Sequence, residues 1–121
     1  MKDGVVGEAL EIVEIGEVER LLQEDGSSPF TLGERAYAFA KSDPARRLAA
    51  RLAAKRAAAR LLEVPEGEIE VVRRPAGPPR LRLSERAVER LRALGASRTL
   101  VSLTHGETHA AAAVLLLRDG E

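Results

Sequence analysis

Positively charged side chains recur at helical spacing in residues 41–62, which end in the segment RLAAKRAAARLL. Arg47, Arg51 and Lys55 are four residues apart, so a helix places them in one stripe beside an apolar face. Like charges at this spacing destabilise an isolated helix by roughly 0.2 to 0.5 kcal/mol per pair. The stripe therefore predicts a negatively charged counterpart, either a phosphate-bearing ligand or an acidic segment of the same or a neighbouring chain.

Lys55 is the cation nearest to the predicted apolar face, because it lies seven residues after Leu48. A buried ammonium group there needs an anionic partner. Spacing alone favours the commoner arrangement, in which the aliphatic stem covers apolar surface and the charged end reaches water. We therefore expect the Lys55 ammonium to extend to solvent.

Spacing gives little support to metal-ion or nucleophilic chemistry. Glu11 and Glu14 do not share one face of a strand. His105 and His109 have helical spacing in a segment with the pattern of a loop and a strand, which argues against a two-histidine zinc site. The sequence has no cysteine, so it has no thiolate nucleophile, and it has no glycine-rich phosphate-binding motif.

The composition limits the class of protein. With 121 residues, of which 45% are hydrophobic and 31% charged, residues 1–121 are expected to fold as one domain. Aromatic residues make up only 2%, which leaves few rings for stacking bases, so we predict no nucleic-acid partner. The longest apolar run is too short to cross a bilayer and no signal peptide is recognisable, so we expect no membrane association and a cytoplasmic location.

The formal net charge of zero conceals two oppositely charged segments. Residues 1–26 hold eight acidic and two basic residues, whereas residues 41–60 hold seven basic residues and one acidic residue. Such segments either pair with each other or each face a charged partner.

The first part of the chain has the pattern of a strand followed by a short helix. The segment GVVGEALEIVEI is rich in valine, isoleucine and leucine, which predicts a strand through Ile15 with a kink near Gly7. GEVERLLQEDG then predicts a short helix that ends at Gly26.

Two further helices are predicted before residue 63. The first begins after Thr31 or Gly33. The second begins with Asp43 as its N-cap and Pro44 at its first position, and it extends to Leu62 through residues of high helix propensity.

The second half of the chain predicts two strand pairs around one helix. GEIEVVRR and PRLRLS alternate in polarity on either side of a proline-rich turn, which indicates a hairpin. Ser84 as N-cap and Gly95 as stop bound a helix, and TLVSLT and HAAAAVLLL predict an antiparallel pair. The fold class is therefore α+β, with a mostly antiparallel sheet packed against the long arginine-rich helix.

Five segments, in order and at matching spacing, resemble the motifs of the short bacterial holo-acyl-carrier-protein synthases, a trimeric group of 4'-phosphopantetheinyl transferases. They are ALEIVEI, FT followed by Glu34, RLAAKRA, GPPRLRLS and VSLTHGETHAAAAV. The family forms are close to GIDIVEI, FT..E, RFAAKEA, GKPxLxLS and VSLSHE..YAAAxV. The resemblance covers nearly the whole chain and implies the 4'-phosphopantetheinyl transferase fold.

The resemblance also implies an activity and its residues. The family transfers 4'-phosphopantetheine from coenzyme A to a serine of an acyl carrier protein, with magnesium held by two carboxylates and active sites between the subunits of a homotrimer. Lys55 matches the family's catalytic lysine, which contacts a phosphate oxygen, and Glu11 matches a catalytic, magnesium-binding aspartate. Arg51 and His105 match residues near the coenzyme.

Two departures from the family motifs concern the metal site. Glu11 is one methylene longer than the family's aspartate, and Arg56 stands where the family has its second metal-binding glutamate. A guanidinium group cannot ligate magnesium. Arg56 either pairs with Glu11 or binds the pyrophosphate of the coenzyme directly, and we expect the pairing with Glu11 because it leaves neither charge alone.

A third departure concerns the partner. Family members carry basic residues on the first helix to meet the acidic carrier protein, whereas this helix is predominantly acidic, with Glu17, Glu19 and Glu24. Like charges disfavour that partner. The sequence thus leaves two functions open: a phosphopantetheinyl transferase with an altered metal site, or a non-catalytic descendant that binds coenzyme A or serves as a structural or interaction protein.

Overall fold

Residues 4–24 and 29–119 are described by a computed structural model of the chain. Their elements are β1 (Gly4–Glu14), α1 (Ile15–Gln23), α2 (Leu32–Phe39), α3 (Pro44–Leu62), a 3₁₀ turn (Glu66–Glu68), β2 (Ile69–Val72), β3 (Arg80–Leu83), α4 (Glu85–Ala93), β4 (Arg98–His105) and β5 (His109–Arg118). They form a three-stranded sheet of order β1-β5-β4 and a separate β2-β3 hairpin, both antiparallel and both in contact with α3. The predicted α+β class, with a mostly antiparallel sheet against the long helix, is confirmed.

Helix α3 forms the centre of the core. Its leucines Leu48, Leu52 and Leu62 are fully buried, and most of its alanines are buried between them. Small alanine side chains let the sheet on one side and the β2-β3 hairpin on the other approach the helix closely. The helix is therefore buried almost all round, unlike a surface helix with one apolar stripe.

The helix starts follow local sequence signals in two cases and depart from them in a third. Thr31 caps α2, since its hydroxyl accepts a hydrogen bond from the backbone N–H of Glu34 at 3.1 Å, and Ser84 caps α4 in the same way. Asp43 is the N-cap residue of α3 and Pro44 its first residue, as predicted, but the Asp43 side chain makes no capping hydrogen bond. Its φ of 57° is left-handed, whereas a capping side chain reaches the first turn from an extended backbone.

The predicted strands are present, but the first one does not run through Ile15 as expected, because β1 ends at Glu14 and Ile15 is the first residue of α1. The register of β1 shifts between Val5 and Gly7, which confirms the kink near Gly7. The hairpin pairs Ile69 with Leu83 and turns its apolar side to the core, and Gly95 follows α4 with a φ of 87°. Gly26, predicted to end α1, lies outside the described residues. No helix in the described part of the chain is long and apolar enough to span a membrane.

The three-stranded sheet carries apolar side chains on both faces. Its inner face is buried against α3 through alternate residues of β5, such as Val114 and Leu116. On the outer face, Leu10 and Ile12 of β1 are each 61% exposed and Leu100 of β4 is 49% exposed. These side chains flank small and apolar residues of β5 and form an apolar patch with them, on a face that also exposes Glu8 and Glu14 of β1 and Ser102 and Thr104 of β4.

Candidate active site

Charged side chains gather at two places along α3. One is a cleft near the N-terminal half of the helix, which we call the cationic cleft. Its lining residues are Tyr37, Arg47, Ala50, Arg51, Arg73, Leu103 and His105. The other is a set of ion pairs near the C-terminal half, which we call the ion-pair row; its members are Glu11, Glu17, Arg56, Arg60 and Glu66.

Four separate segments build the cationic cleft, which encloses about 210 Å³. Helix α3 supplies Arg47 and Arg51, α2 supplies Tyr37, the segment after β2 supplies Arg73, and His105 ends β4. No acidic residue is among the lining residues. The cleft therefore has the composition of an anion-binding site.

Arg51 is the buried centre of this cleft, with only 4% of its surface exposed. Its guanidinium carbon lies 4.3 Å from the centroid of the Tyr37 ring, a cation–π contact, and its Nη1 donates to the carbonyl of Arg47 at 3.2 Å. Within residues 4–24 and 29–119, the buried Nε atoms of Arg47 and Arg51 have no hydrogen-bond partner. Each unpartnered buried donor costs about 1–3 kcal/mol.

The pKa of Tyr37 reflects the positive charges around the cleft. Burial raises that pKa, but the positive charges of Arg51, Arg47, Arg73 and Lys41 together outweigh burial, and the net pKa lies below the usual value. Nearby positive charges favour the anionic form of a phenol, so this direction of the pKa is typical of a positively charged environment. The cleft therefore favours a ligand with several negative charges.

Lys55 is fully buried, and the expectation that it extends to solvent is wrong. Its Nζ lies 2.8 Å from Oε1 of Glu34, which is itself 1% exposed. Glu34 also accepts hydrogen bonds from the backbone N–H groups of Thr31 at 2.8 Å and Val71 at 2.7 Å. The carboxylate that compensates Lys55 belongs to α2, so spacing within α3 could not reveal it.

Arg56 and Glu11, expected to pair, have different partners. Arg56 binds Glu17 through two contacts, Nη2 to Oε2 at 2.5 Å and Nη1 to Oε1 at 3.3 Å. Glu11 instead pairs with Arg60, one helical turn further on, with Nη1 2.6 Å from Oε2. The expected Glu11–Arg56 pair is therefore wrong, because α1 places Glu17 opposite Arg56 and β1 places Glu11 opposite Arg60.

The two oppositely charged segments of the sequence meet in the ion-pair row. Hydrogen bonding to Glu17 is the main cause that raises the pKa of Arg56; burial opposes it, and the charges of Glu17, Glu66 and Glu11 add to it. The same contact lowers the pKa of Glu17 despite its partial burial. Of the two alternatives that the charge pattern left open, pairing within the chain is confirmed for Arg56 and Arg60. In the part of the chain that the structure describes, neither Arg47 nor Arg51 forms an ion pair with a carboxylate.

Comparison with known proteins identifies the family. No protein-family model matches the chain. It is 38% identical over 122 residues to the holo-acyl-carrier-protein synthase of Anaeromyxobacter sp. (strain K), and the match covers 93% of this chain and 95% of that protein. This chain belongs to the holo-acyl-carrier-protein synthase family.

Solved structures of holo-acyl-carrier-protein synthases share the fold. The acyl carrier protein synthase of Mycobacterium tuberculosis is 33% identical, with a TM-score of 0.72 and coverage of 97% of this chain and 100% of that chain. The enzyme of Bacillus anthracis in complex with CoA (3',5'-ADP) is 26% identical, with a TM-score of 0.74 and coverage of 95% and 98%. The family fold predicted from the five motifs is confirmed.

The residues assigned from the holo-acyl-carrier-protein synthase motifs separate into two places. Arg51 and His105 line the cationic cleft together, whereas Glu11 and Arg56 belong to the ion-pair row. The ammonium of Lys55 faces Glu34, so its contact with a phosphate stays a prediction.

Three residues near these sites carried no assigned role in the sequence. Arg73 and Tyr37 line the cleft, and no pattern in the sequence marks either of them. Glu34 had a detectable signal, because Thr31 followed three residues later by glutamate is the pattern of a capping box.

The ion-pair row does not fit the magnesium ion that the family motifs imply. Magnesium takes oxygen ligands, and the two motif positions here hold one carboxylate, Glu11, and one guanidinium, Arg56, which offers only N–H donors. Glu11 and Glu17 are each engaged by an arginine. Across the described ranges, no group of three or more histidine, cysteine, aspartate or glutamate side chains is arranged to hold a metal ion.

Proposed function

We propose that this protein transfers 4'-phosphopantetheine from coenzyme A to a serine of an acyl carrier protein. Its curated relatives are named for this activity, and the related enzyme of Bacillus anthracis has CoA (3',5'-ADP) bound. The observation that carries the proposal in this chain is the cationic cleft, with three arginines, a histidine and two unpartnered buried N–H donors. Such donors suit phosphate oxygens, which arginine binds in bidentate geometry.

Arg51 and His105, together with Arg47 and Arg73, are proposed to hold the coenzyme's phosphates. In the transfer, the serine oxygen forms a bond to the phosphorus next to the pantetheine, and the bond from that phosphorus to the bridging oxygen breaks. The serine proton passes to a base or to water, and 3',5'-ADP leaves with the bridging oxygen. Fixed positive charge around the cleft would stabilise the phosphate charge that grows on the leaving group.

Lys55 is proposed to position this cleft. Its ion pair with Glu34 joins α3 to α2, and Glu34 in turn binds the backbone of Val71 in β2. Arg73 follows Val71 by two residues, so the buried pair fixes the segments that carry Tyr37, Arg51 and Arg73. Direct contact of Lys55 with phosphate, and a catalytic role for Glu11, stay predictions.

The test is calorimetric titration with coenzyme A, followed by the mass change of a bacterial apo-acyl carrier protein incubated with both. We expect binding, and a weakening by roughly 10- to 100-fold in Arg47→Ala and Arg73→Ala, since each removes a charge-assisted hydrogen bond. Arg86→Ala is the matched control, because Arg86 is an exposed arginine on α4 outside the cleft. Unchanged affinity in both cleft variants contradicts the proposal.

A non-catalytic coenzyme A-binding protein is the second candidate function. It is favoured by the Arg56–Glu17 pair at a motif position for a metal-binding carboxylate, and by the exposed acidic residues Glu19 and Glu24 on and after α1. Coenzyme A binding in the cleft without any mass increase of the carrier protein supports this candidate over the transferase.

The assembly is proposed to be a homotrimer, as the family resemblance implies. The apolar outer face of the β1-β5-β4 sheet supports self-association, because Leu10, Ile12 and Leu100 expose their side chains on it. Contiguous apolar surface of this kind marks protein interfaces. The cytoplasmic location and the acyl carrier protein as partner stay part of this proposal.

A further inference from the structure

We propose that Arg56 and Arg60 take the place of a divalent metal ion at the ion-pair row, so that this protein binds no magnesium there and binds coenzyme A without it. The statement about coenzyme A rests on the proposed function. The statement about the metal ion rests on the ion-pair row alone.

The first observation is the geometry of the two arginines. Arg56 and Arg60 are one turn apart on α3, and each faces a carboxylate from an element that precedes α2. Arg60 lies 2.6 Å from Glu11 of β1, and Arg56 makes two contacts with Glu17 of α1. The two arginines thus join β1, α1 and α3, which is the kind of cross-linking that a shared metal ion provides.

The second observation is the balance of charge in the ion-pair row. The row contains three carboxylates, and the third, Glu66, lies 3.9 Å from Nε of Arg56. Without counter-charges, the negative charge along this row would attract a cation, and Glu17 and Glu66 are the two carboxylates that share Arg56. Here two guanidinium groups neutralise most of that charge from within the chain, and they would repel a cation that approached the same oxygens.

The third observation is the fraction of each paired side chain that is exposed to water. The side chains of Arg56 and Glu17 are 32% and 35% exposed, and that of Glu11 is 23% exposed. Water therefore screens these pairs less than it screens pairs on an open surface. A metal ion at Glu17 would have to displace the partly buried guanidinium group of Arg56, which remains tethered beside it, whereas the side chain of Arg60 is 59% exposed.

The test uses manganese as a spectroscopic substitute for magnesium. Manganese is titrated into the wild-type protein and its variants, and bound metal is read from the loss of the free-ion electron paramagnetic resonance signal. We expect no binding by the wild type. Arg56→Glu places a fourth carboxylate beside Glu17 and Glu66, and we expect this variant to bind manganese. Arg86→Glu, which adds the same charge at an exposed position of α4, is the matched control and is expected to bind none.

The results separate this inference from the proposed function. Manganese binding by the wild type overturns the inference, and so does a folded Arg56→Glu variant that binds none. If that variant does not fold, Arg56→Gln removes the positive charge beside Glu17 and Glu66 and puts an uncharged side chain with an amide oxygen in its place, and it is expected to gain manganese binding; failure to gain it then overturns the inference.

Coenzyme A titrations with magnesium and with a chelator complete the test. We expect the two dissociation constants to agree within about threefold. Binding that requires magnesium overturns the inference. If coenzyme A binds under neither condition, the proposed function fails, and the manganese result still decides whether arginines have replaced the metal.

Discussion

At the scale of single residues, the feature with the largest energetic consequence is the buried pair of Lys55 and Glu34. Both side chains are inaccessible to water, and their charged atoms are 2.8 Å apart. A buried ion pair adds little stability compared with an apolar replacement of both residues. Removal of one partner, however, leaves the other charge buried without a counter-charge and costs about 3–5 kcal/mol of stability. The two partners differ, because Glu34 has two further backbone donors whereas no other hydrogen-bond partner of Lys55 is seen in the described residues.

This difference predicts an asymmetry between two variants. Glu34→Gln leaves the Lys55 ammonium without a counter-charge and is expected to lower the free energy of unfolding by about 3–5 kcal/mol. Lys55→Met leaves a Glu34 carboxylate that keeps its backbone donors, so the loss is expected to be smaller. Urea denaturation measures both values.

The control for this comparison is an exposed pair. Arg82 pairs with Glu70 at 3.0 Å, but its side chain is 64% exposed, so Arg82→Ala is expected to change stability by less than about 1 kcal/mol. A Lys55→Met loss equal to or larger than that of Glu34→Gln would contradict the assignment of Glu34 as the better compensated partner.

At the scale of elements, the docking of α1 on α3 combines apolar and charged contacts. Val18 of α1 is fully buried in the core beside alanines of α3, and the Glu17–Arg56 pair lies at the edge of this contact. The apolar contact supplies most of the stability, since a partly exposed ion pair contributes about 1 kcal/mol or less. The ion pair makes the free energy of unfolding depend on pH.

The stabilisation by the Glu17–Arg56 pair is present at neutral pH and lost in acid. Because Arg56 holds the pKa of Glu17 below its ordinary value of 4.5, the pair stabilises the fold above that pH. The contribution is lost as the pH falls through the lowered pKa, where Glu17 becomes protonated in the folded state. Glu17→Gln is therefore expected to lower the free energy of unfolding slightly at neutral pH and to match the wild type at low pH. Urea denaturation across the acid range measures the difference.

Glu19→Gln is the control for this effect, because Glu19 is an exposed carboxylate on the same helix. A Glu17→Gln difference that persists unchanged into the acid range would mean that the loss comes from packing and not from the ion pair.

At the scale of the whole molecule, one charged cleft and one apolar sheet face are left without a partner from the described residues. The cleft draws its residues from α2, α3, β4 and the segment after β2, so only the complete fold assembles it. The outer face of the sheet is formed by β1, β5 and β4, and its exposed leucine and isoleucine side chains need a covering surface.

Burial of this face between copies predicts the effect of one added charge. The wild type is expected to run at about 39 kDa, three times its chain mass of 13.0 kDa, in light scattering coupled to gel filtration. Ile12→Lys places a charge on the β1 side of the apolar face and is expected to shift the mass towards 13.0 kDa.

Leu32→Lys is the matched control, since Leu32 is an apolar residue with 86% exposure on α2, away from the sheet. We expect it to keep the wild-type mass. Dissociation by Leu32→Lys but not by Ile12→Lys would place the interface elsewhere on the molecule.

The sequence by itself determined the elements and their order, because those depend on local signals. The span of α3 follows from its alanine, leucine and arginine content, and the strand pairs follow from alternation and turn residues. The five motifs also determined the family. Local signals missed two details. The first strand ends at Glu14 and not at Ile15, and Asp43 does not cap α3 with its side chain, because its left-handed backbone cannot be read from residue type.

The tertiary structure alone decided which charges meet. Lys55 and Glu34 are 21 residues apart, and Arg56 and Glu17 are 39 residues apart, so no local pattern links them. An ion pair depends on the packing angle and register of whole elements, and a shift of one helical turn moves Glu11 from Arg56 to Arg60. The buried lysine and the arginines at the metal position therefore follow from how β1, α1 and α2 pack on α3.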